Sequence, residues 1–388
     1  MDRRTGAVIV STISILIVTF LVILYARGYR PDLQNNTLEP TGILVATSDP
    51  DGAEVYVNNK LATATNTTIN FPPGSYQVKI SKDGYWDWTK NVTIKKEEVF
   101  KTNAFLFPKT PDLRPLTFSG TTGLYPAPSG QKVAYFVATG SATTKGVWIT
   151  EMTGIPLVSN GSSRLIYKGA LKIAGWSFDE RQLVASNSAG TYYLLDADRN
   201  NDQPTIITIT QLQDLKNEWQ DAVKIKLAAQ LSKLDKQLLS TLSLSAANFR
   251  FSPDESKFIY TATASANLLA VLPTQLPGTN PTPEVRKLSP GNIYTYDIKE
   301  DKNYLLFENF KFQISNLSWF STSRHLAVNE GQQISVMEFD GANKVAVYAG
   351  PFVDNFVFPW PGSTKIVILT SLNPNAGVDE NMYTINLR

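Results

Sequence analysis

The sequence predicts a mainly β protein: an N-terminal transmembrane helix, a small antiparallel β domain, and a β-propeller of about five blades with one helical insert. Three observations predict it. Gly6 to Ala26 is an uncharged run rich in Ile, Val and Leu. Residues 42–108 alternate apolar and polar side chains between clusters of turn formers. In the last two-thirds of the chain one short phrase recurs five times.

The apolar run has the length of a membrane-spanning helix, which needs about 20 residues. Residues 1–5 precede it and carry Arg3 and Arg4, while Arg27 and Arg30 follow. The positive-inside rule is therefore nearly balanced. Orientation rests on the early start and the long polar domain behind it, which give a cytoplasmic N-terminus and extracytoplasmic domains. A cleaved signal peptide would have an apolar core of about 7–15 residues ending in small side chains. Here the run is longer, and Tyr25, Arg27 and Tyr29 crowd the place of cleavage. The expectation is an uncleaved single-pass anchor with Tyr25 and Tyr29 as interfacial aromatics. Residues 27–41, with Pro31, Asn35, Asn36 and Pro40, read as a short linking stalk.

In residues 42–108 strands are expected at Ile43–Thr47, Ala53–Val57, Thr67–Phe71, Tyr76–Ile80, Asn91–Ile94 and Ala104–Phe107. Asp49–Gly52, Asn58–Lys60, Pro72–Gly74 and Asp83–Gly84 mark turns. Pro50-Asp51-Gly52-Ala53 resembles the Pro-Glu-Gly-Ala signature of PEGA domains, with Asp for Glu. Pro73-Gly74-Ser75-Tyr76-Gln77-Val78 resembles that family's Pro-Gly-x-Tyr-x-Val hairpin, and Gly84-Tyr85-Trp86 its Gly-Tyr turn. The family's usual Gly-x-Thr-Pro step is missing from Leu61–Thr68. The resemblance implies envelope-associated binding or scaffolding, and it brings no catalytic residues.

The repeats occupy residues 113–388. The copies are Tyr125–Ala134, Trp176–Ala185, Phe251–Tyr260, Trp319–Val328 and Phe358–Val367. Each has an aromatic residue, a turn and a strand-like apolar run. Their starts are 51, 75, 68 and 39 residues apart, against about 40–45 for a four-stranded blade. The two long intervals hold inserts. Residues 211–242 read as a helix with Leu212, Leu215, Trp219, Leu227, Leu231, Leu234 and Leu238 on one face, broken near Val223–Lys226. Residues 272–290 contain Pro273, Pro277, Pro281, Pro283 and Pro290 and read as a loop. Phe251-Ser252-Pro253-Asp254 resembles the turn of Tol-system and dipeptidyl-peptidase-like propellers, with Glu255 where Gly is usual. Closure of such a ring calls for a strand from the opposite end of the chain. Leu113–Phe118 is the candidate, beside Tyr383–Leu387. A sixth, degenerate blade around Tyr304–Ile314 is the alternative.

Composition narrows the chemistry. There is no cysteine and one histidine, His325, which excludes thiolate chemistry and a multi-imidazole zinc site within one chain. Net charge is +2 and no block of like charge stands out, so no nucleic-acid partner is expected. No cofactor or metal is implied. Asp179, Glu180, Asp254 and Glu255 could pair as acid and base, but they hold equivalent turn positions, where Asp accepts local backbone hydrogen bonds. His325 reads as a strand-end residue. Asp196, Asp198 and Asn200 begin like a calcium loop, but Asp202-Gln203 stands in place of the Gly region and no Glu closes it. On the small domain, Trp86 and Trp88 with Tyr85 are candidates for an aromatic binding platform, since side chains two apart on a strand share a face. The alternative is that this face covers the sheet's core or packs on the propeller. The helical insert is expected to pack on the propeller itself.

The expected function is a non-catalytic, membrane-anchored envelope protein that engages protein or glycan through a propeller face. Two alternatives stand beside it: an adaptor subunit acting through its transmembrane helix, and a hydrolase or lyase with a site at the propeller centre.

Overall fold

The computed structural model describes residues 3–26, 28–32, 37–118, 120–139, 144–152, 162–309, 314–353, 356–362, 364–372 and 379–388. Arg27, Asn35 and Asn36 lie outside the described residues. The chain forms two compact units, Met1–Leu106 with Thr274–Thr282, and Phe107–Pro273 with Pro283–Arg388.

The first unit begins with α1, Arg3–Ala26, whose Gly6–Ala26 stretch is long and apolar enough to cross a membrane. No residue of its apolar window is buried. The expected stalk is instead a two-stranded hairpin, in which Tyr29–Asp32 pairs antiparallel with Thr37–Pro40. The β domain follows. One sheet has the order Lys60–Ala64, Glu54–Val57, Gly74–Ser81, Trp88–Ile94, and a second has Val99–Lys101, Gly42–Ala46, Thr67–Phe71. The domain is not purely antiparallel. Val99–Lys101 runs parallel to Gly42–Ala46, and Ala104–Phe105 parallel to Ser48–Asp49. Alternation works as read: Val78 and Ile80 are buried with Leu44, Val55, Val92 and Leu106, while Gln77 and Lys79 point away. Two short strands had no sequence signal. Lys60–Ala64 is a sheet edge with little burial, and Val99–Lys101 is only three residues long.

The second unit is a five-bladed propeller. Its blades, in strand order, are Thr122–Pro126, Lys132–Val137, Gly146–Glu151, Ser162–Tyr167 for blade 1, and Lys172–Trp176, Gln182–Ser186, Tyr192–Asp196, Thr205–Ile207 for blade 2. Blade 3 is Ala246–Phe251, Lys257–Ala262, Ile293–Asp297, Lys302–Phe307, and blade 4 is Leu317–Trp319, His325–Asn329, Gln333–Glu338, Val345–Ala349. Blade 5 takes Val357–Pro359, Lys365–Thr370 and Asn381–Asn386 from the end of the chain and Asp112–Pro115 from its start. Leu113 faces Ile385 and Pro115 faces Tyr383 in that pairing. Tyr304 lies in the fourth strand of blade 3, so the described part of 304–314 forms no sixth blade; residues 310–313 lie outside the described residues.

Apolar side chains fill the joints between blades. Leu183, Ala185 and Leu195 of blade 2 face Ala134 and Ile149 of blade 1. Ile259 and Ile293 of blade 3 face Leu326 and Val328 of blade 4. Val133 and Tyr135 of blade 1 pack with Val367 and Met382 of blade 5.

The joint between blades 2 and 3 is different. Two helices fill it: α2, Ile209–Leu231, and α3, Lys236–Ser245. Leu212, Leu215 and Trp219 of α2 lie on Val184, Leu194 and Ile207, the side of blade 2 turned away from blade 1. Leu238 and Leu242 of α3 lie on Phe258, Tyr260, Tyr294 and Tyr296, the side of blade 3 turned away from blade 4. The helical insert is thus a wedge in the ring, two helices over 209–245 rather than one over 211–242. The apolar stripe does lapse at Val223–Lys226, whose side chains are exposed, but the helix continues. It ends at Ser232, and Asp235 starts α3 by accepting from the N–H groups of Gln237 and Leu238.

Part of the proline-rich stretch, Thr274–Thr282, belongs to the first unit, where Asn280 accepts from Lys90 Nζ at 3.2 Å. One end is not loop: Lys287–Leu288 pairs with Ala266–Asn267.

Candidate functional site

The five repeats mark one end of every blade, where the first strand turns into the second. Blade 3 shows the wiring. Ser252 N–H donates to Lys257 O at 2.8 Å, Glu255 N–H to Ser252 O at 2.8 Å, and Ser252 Oγ to Asp254 Oδ1 at 2.7 Å. Asp254 Oδ1 also accepts from Ser256 N–H at 3.0 Å. Blade 2 repeats this bond for bond: Ser177 N–H to Gln182 O at 2.9 Å, Glu180 N–H to Ser177 O at 3.1 Å, Ser177 Oγ to Asp179 Oδ1 at 2.6 Å, and Arg181 N–H to Asp179 Oδ1 at 3.2 Å. The two aspartates are turn locks. The hydrogen bond from Ser177 holds Asp179 below the usual carboxylate range, although its slight burial works the other way. Burial would raise Asp254, but the donors of Ser256, Ser252 and Ser323 outweigh it and hold the group well below that range.

These locks give a pH prediction. A depressed folded-state pKa contributes stability that is present above the ordinary aspartate value and is lost as pH falls through the folded one. The contribution of Asp254 is therefore intact at pH 7 and fades on acidification below about pH 4. Asp254→Asn is expected to unfold at lower temperature at pH 7 and to show a gap from the parent that narrows steadily as pH falls from about 4 towards 2, as thermal scans across that range would show. An equal offset throughout would assign the loss to shape rather than charge.

The next turn position needs left-handed backbone. Gly130 has φ 78°, but Glu180 (60°), Glu255 (55°) and Ser323 (58°) occupy the same place in blades 2, 3 and 4. Such a conformation costs a non-glycine residue of the order of 1 kcal/mol. Their side chains offset it by bridging blades. The Glu180 carboxylate accepts from Ser129 N–H and, at 2.9 Å, from Ser129 Oγ in blade 1. Ser323 Oγ accepts from Asp254 N–H at 3.1 Å. Glu255 reaches the wedge, where it accepts from Gln230 Nε2 at 3.0 Å and Lys233 Nζ at 2.7 Å. Ser321 Oγ donates to Pro361 O, linking blades 4 and 5. The leading aromatics bridge as well: Trp176 Nε1–H donates to Tyr125 O at 2.8 Å and Trp319 Nε1–H to Arg250 O at 3.1 Å. This end of the propeller is a ring of turns in which each engages a neighbouring turn or the wedge. Sequence reading found the turns and missed these bridges, whose only signal is a non-glycine residue where glycine is usual.

The remaining candidates fall to ordinary structural roles. His325 opens the second strand of blade 4, nearly buried, edge-on to Phe107 and Phe320 with ring centroids 5.3 and 6.4 Å away. In the calcium-like loop, Asp196 Oδ1 accepts from Asp198 N–H at 2.8 Å, and Arg199 pairs with Asp196 at 2.9 Å. Asp198 faces Lys132 at 3.1 Å and Arg164 at 3.2 Å. The Asp196 and Asp198 carboxylates are engaged by these donors. Among the described residues no group of three or more His, Cys, Asp or Glu side chains is placed to hold a metal.

The three aromatics of the expected platform do not share one exposed face. Trp88 is 4% exposed, inside the core of the small domain, whereas Trp86 is 38% exposed. Tyr85 packs partly buried against that core. The alternation rule fails because the strand starts at Trp88, opposite Ile80, and residues 85–87 form the approach to it. Trp88→Ala is expected to destabilise this unit by about 3–5 kcal/mol, and Trp86→Ala by less than about 1 kcal/mol. Denaturant titration of each variant checks the contrast; equal losses would place both rings in the core.

Residues 41–109 match the PEGA domain family. No curated protein matches the chain. Solved structures with local likeness include the putative TolB from Agrobacterium tumefaciens, 14% identical over 71% of this chain and 78% of that one, TM-score 0.24. TolB from Acinetobacter baumannii is 14% identical over 80% of this chain and 59% of that one, TM-score 0.22. The tricorn protease is 11% identical over 76% of this chain and 23% of that one, TM-score 0.21. The propeller architecture is established by the strand pairing of the chain itself.

Proposed function

We propose that the chain is a non-catalytic, single-pass, membrane-anchored envelope protein that presents its propeller to a protein or glycan partner. The observation that carries this reading is the joining of an unburied apolar helix, Gly6–Ala26, to a PEGA domain at residues 41–109. In this reading α1 is a retained anchor, the N-terminus is cytoplasmic and the β units are extracytoplasmic. The non-catalytic part draws support from the acidic turn residues, whose hydrogen bonds are spent on turns and bridges. Partner specificity would come from the propeller ends, where connections of different length converge.

The test is capture from detergent-solubilised native membranes, with the full chain run beside residues 41–388. A partner held by both supports recognition by the β units. A partner held only by the full chain supports an adaptor acting through α1. Alkaline carbonate extraction tests the anchor separately: release of the chain into the soluble fraction would end the anchored reading.

A further inference from the structure

The end of α1 is tied into the β domain without slack. Gly28 takes φ 91°, donates to Tyr25 O at 3.1 Å and so ends the helix. Gly28 O accepts from Thr41 N–H at 3.0 Å and from Thr41 Oγ1 at 2.5 Å. Thr41 O in turn accepts from Glu97 N–H at 3.2 Å, in the turn before Val99. A side chain at residue 28 would meet Thr41 O at 3.2 Å. The domain is thus seated at the helix end, and the 95–98 turn is held close to it.

Cations gather there around two tyrosines. The Arg30 guanidinium lies 3.9 Å over the Tyr25 ring and donates to Tyr25 O at 2.9 Å. Lys96 Nζ lies 5.4 Å over the Tyr29 ring. Lys95 and Lys96 have side chains 60% and 52% exposed, and they pair with Glu98 at 3.9 Å and Glu97 at 3.7 Å. Exposed pairs of this kind contribute little and can be exchanged for another anion. Cations stacked on aromatic rings where an apolar helix ends lie at the depth of lipid headgroups.

We propose that Arg30 over Tyr25 and Lys96 over Tyr29, with Lys95 next in the chain, form a binding site for the phosphate groups of anionic lipids, which seats the PEGA domain on the membrane surface. This rests on α1 being a retained anchor. Juxtamembrane cations gain about fivefold each from an anionic surface.

The test uses the full chain in neutral detergent micelles, titrated with phosphatidylglycerol or phosphatidylcholine and followed by native mass spectrometry of bound lipid. Phosphatidylglycerol is expected to bind at least about tenfold tighter than phosphatidylcholine. The R30Q/K95Q/K96Q variant, altered at side chains outside the core, is expected to lose that preference while still binding lipid through α1. Glycerol phosphate is expected neither to bind nor to compete. Equal binding of the two lipids, or an unchanged preference in the variant, overturns the site. Equally tight binding of glycerol phosphate overturns the lipid as its ligand. Carbonate extraction of the same protein shows separately whether the anchor reading has failed.

Discussion

Replacing Asp301 with alanine is expected to cost the propeller about 3–5 kcal/mol, the range for breaking a buried charge network by removing one partner. Asp301 is 4% exposed and sits between the third and fourth strands of blade 3. Its Oδ2 accepts from the N–H groups of Val271 at 2.6 Å and Leu272 at 2.8 Å, pinning the start of the long connection to the blade. Its Oδ1 accepts from the Tyr296 hydroxyl and faces Arg286 NH1 at 3.4 Å. Burial, reinforced by Asp301, pushes the Tyr296 hydroxyl far above its ordinary pKa, so it remains a donor across the accessible pH range. Alanine would leave two backbone donors and a phenol without their acceptor, while Arg286 keeps Glu284 at 2.8 Å and Leu269 O at 3.1 Å. Denaturant titration is expected to show the loss, and hydrogen exchange is expected to quicken at Val271 and Leu272. Asp301→Asn should lose less, because asparagine tolerates the φ of 51° and keeps one acceptor oxygen. A loss under about 1 kcal/mol with unchanged exchange would mean that Leu268, Val285 and Leu288 hold the connection instead.

That network had no signature in the sequence, and the reason is physical. Asp301 is one acidic residue in the Glu300-Asp301-Lys302 turn, and its partners stand 5 to 30 residues away. Periodicity reports which face of a strand is buried, not which polar atoms meet behind it. The features read correctly were local ones. Strand Gly74–Ser81 alternates because one face is buried, and the repeated turns are legible because each Asp bonds within its own turn. The closing strand was also legible, since a ring requires one and Leu113 supplied an apolar residue in the right place. The separation of Trp88, in the core, from Trp86 was not legible because the pair straddles a strand boundary, which composition does not mark. The aromatic richness of the second and third strands of blade 3 had a meaning visible only in three dimensions. Phe258, Tyr260, Tyr294 and Tyr296 stack in a continuous patch, with neighbouring centroids 5.4 to 5.7 Å apart, because that side faces helices rather than another blade.

The wedge is where the largest packing effect is expected. Leu242 is fully buried on the aromatic side of blade 3, whereas Leu244, two residues on, is 84% exposed. Both are leucines in α3, so helix propensity changes equally in the two variants and cancels. Leu242→Ala is expected to cost about 2–5 kcal/mol, because the removed methyl groups leave a cavity against rings already packed together. Leu244→Ala is expected to stay within about 0.5 kcal/mol of the parent. The comparison decides what the helices are for. If they are a covering laid over a ring already closed by its blades, Leu242→Ala should loosen α3 alone, with faster hydrogen exchange in 236–245 and little change in global unfolding. If they complete the ring, the loss should appear in the cooperative unfolding of the whole unit, and blades 2 and 3 should lose protection together. The second outcome is expected, because α2 and α3 rest on the sides of blades 2 and 3 that elsewhere in the ring meet a neighbouring blade. Glu255, held in a left-handed turn and bonded to Gln230 and Lys233, then ties the wedge to the ring of turns that binds the other blades together.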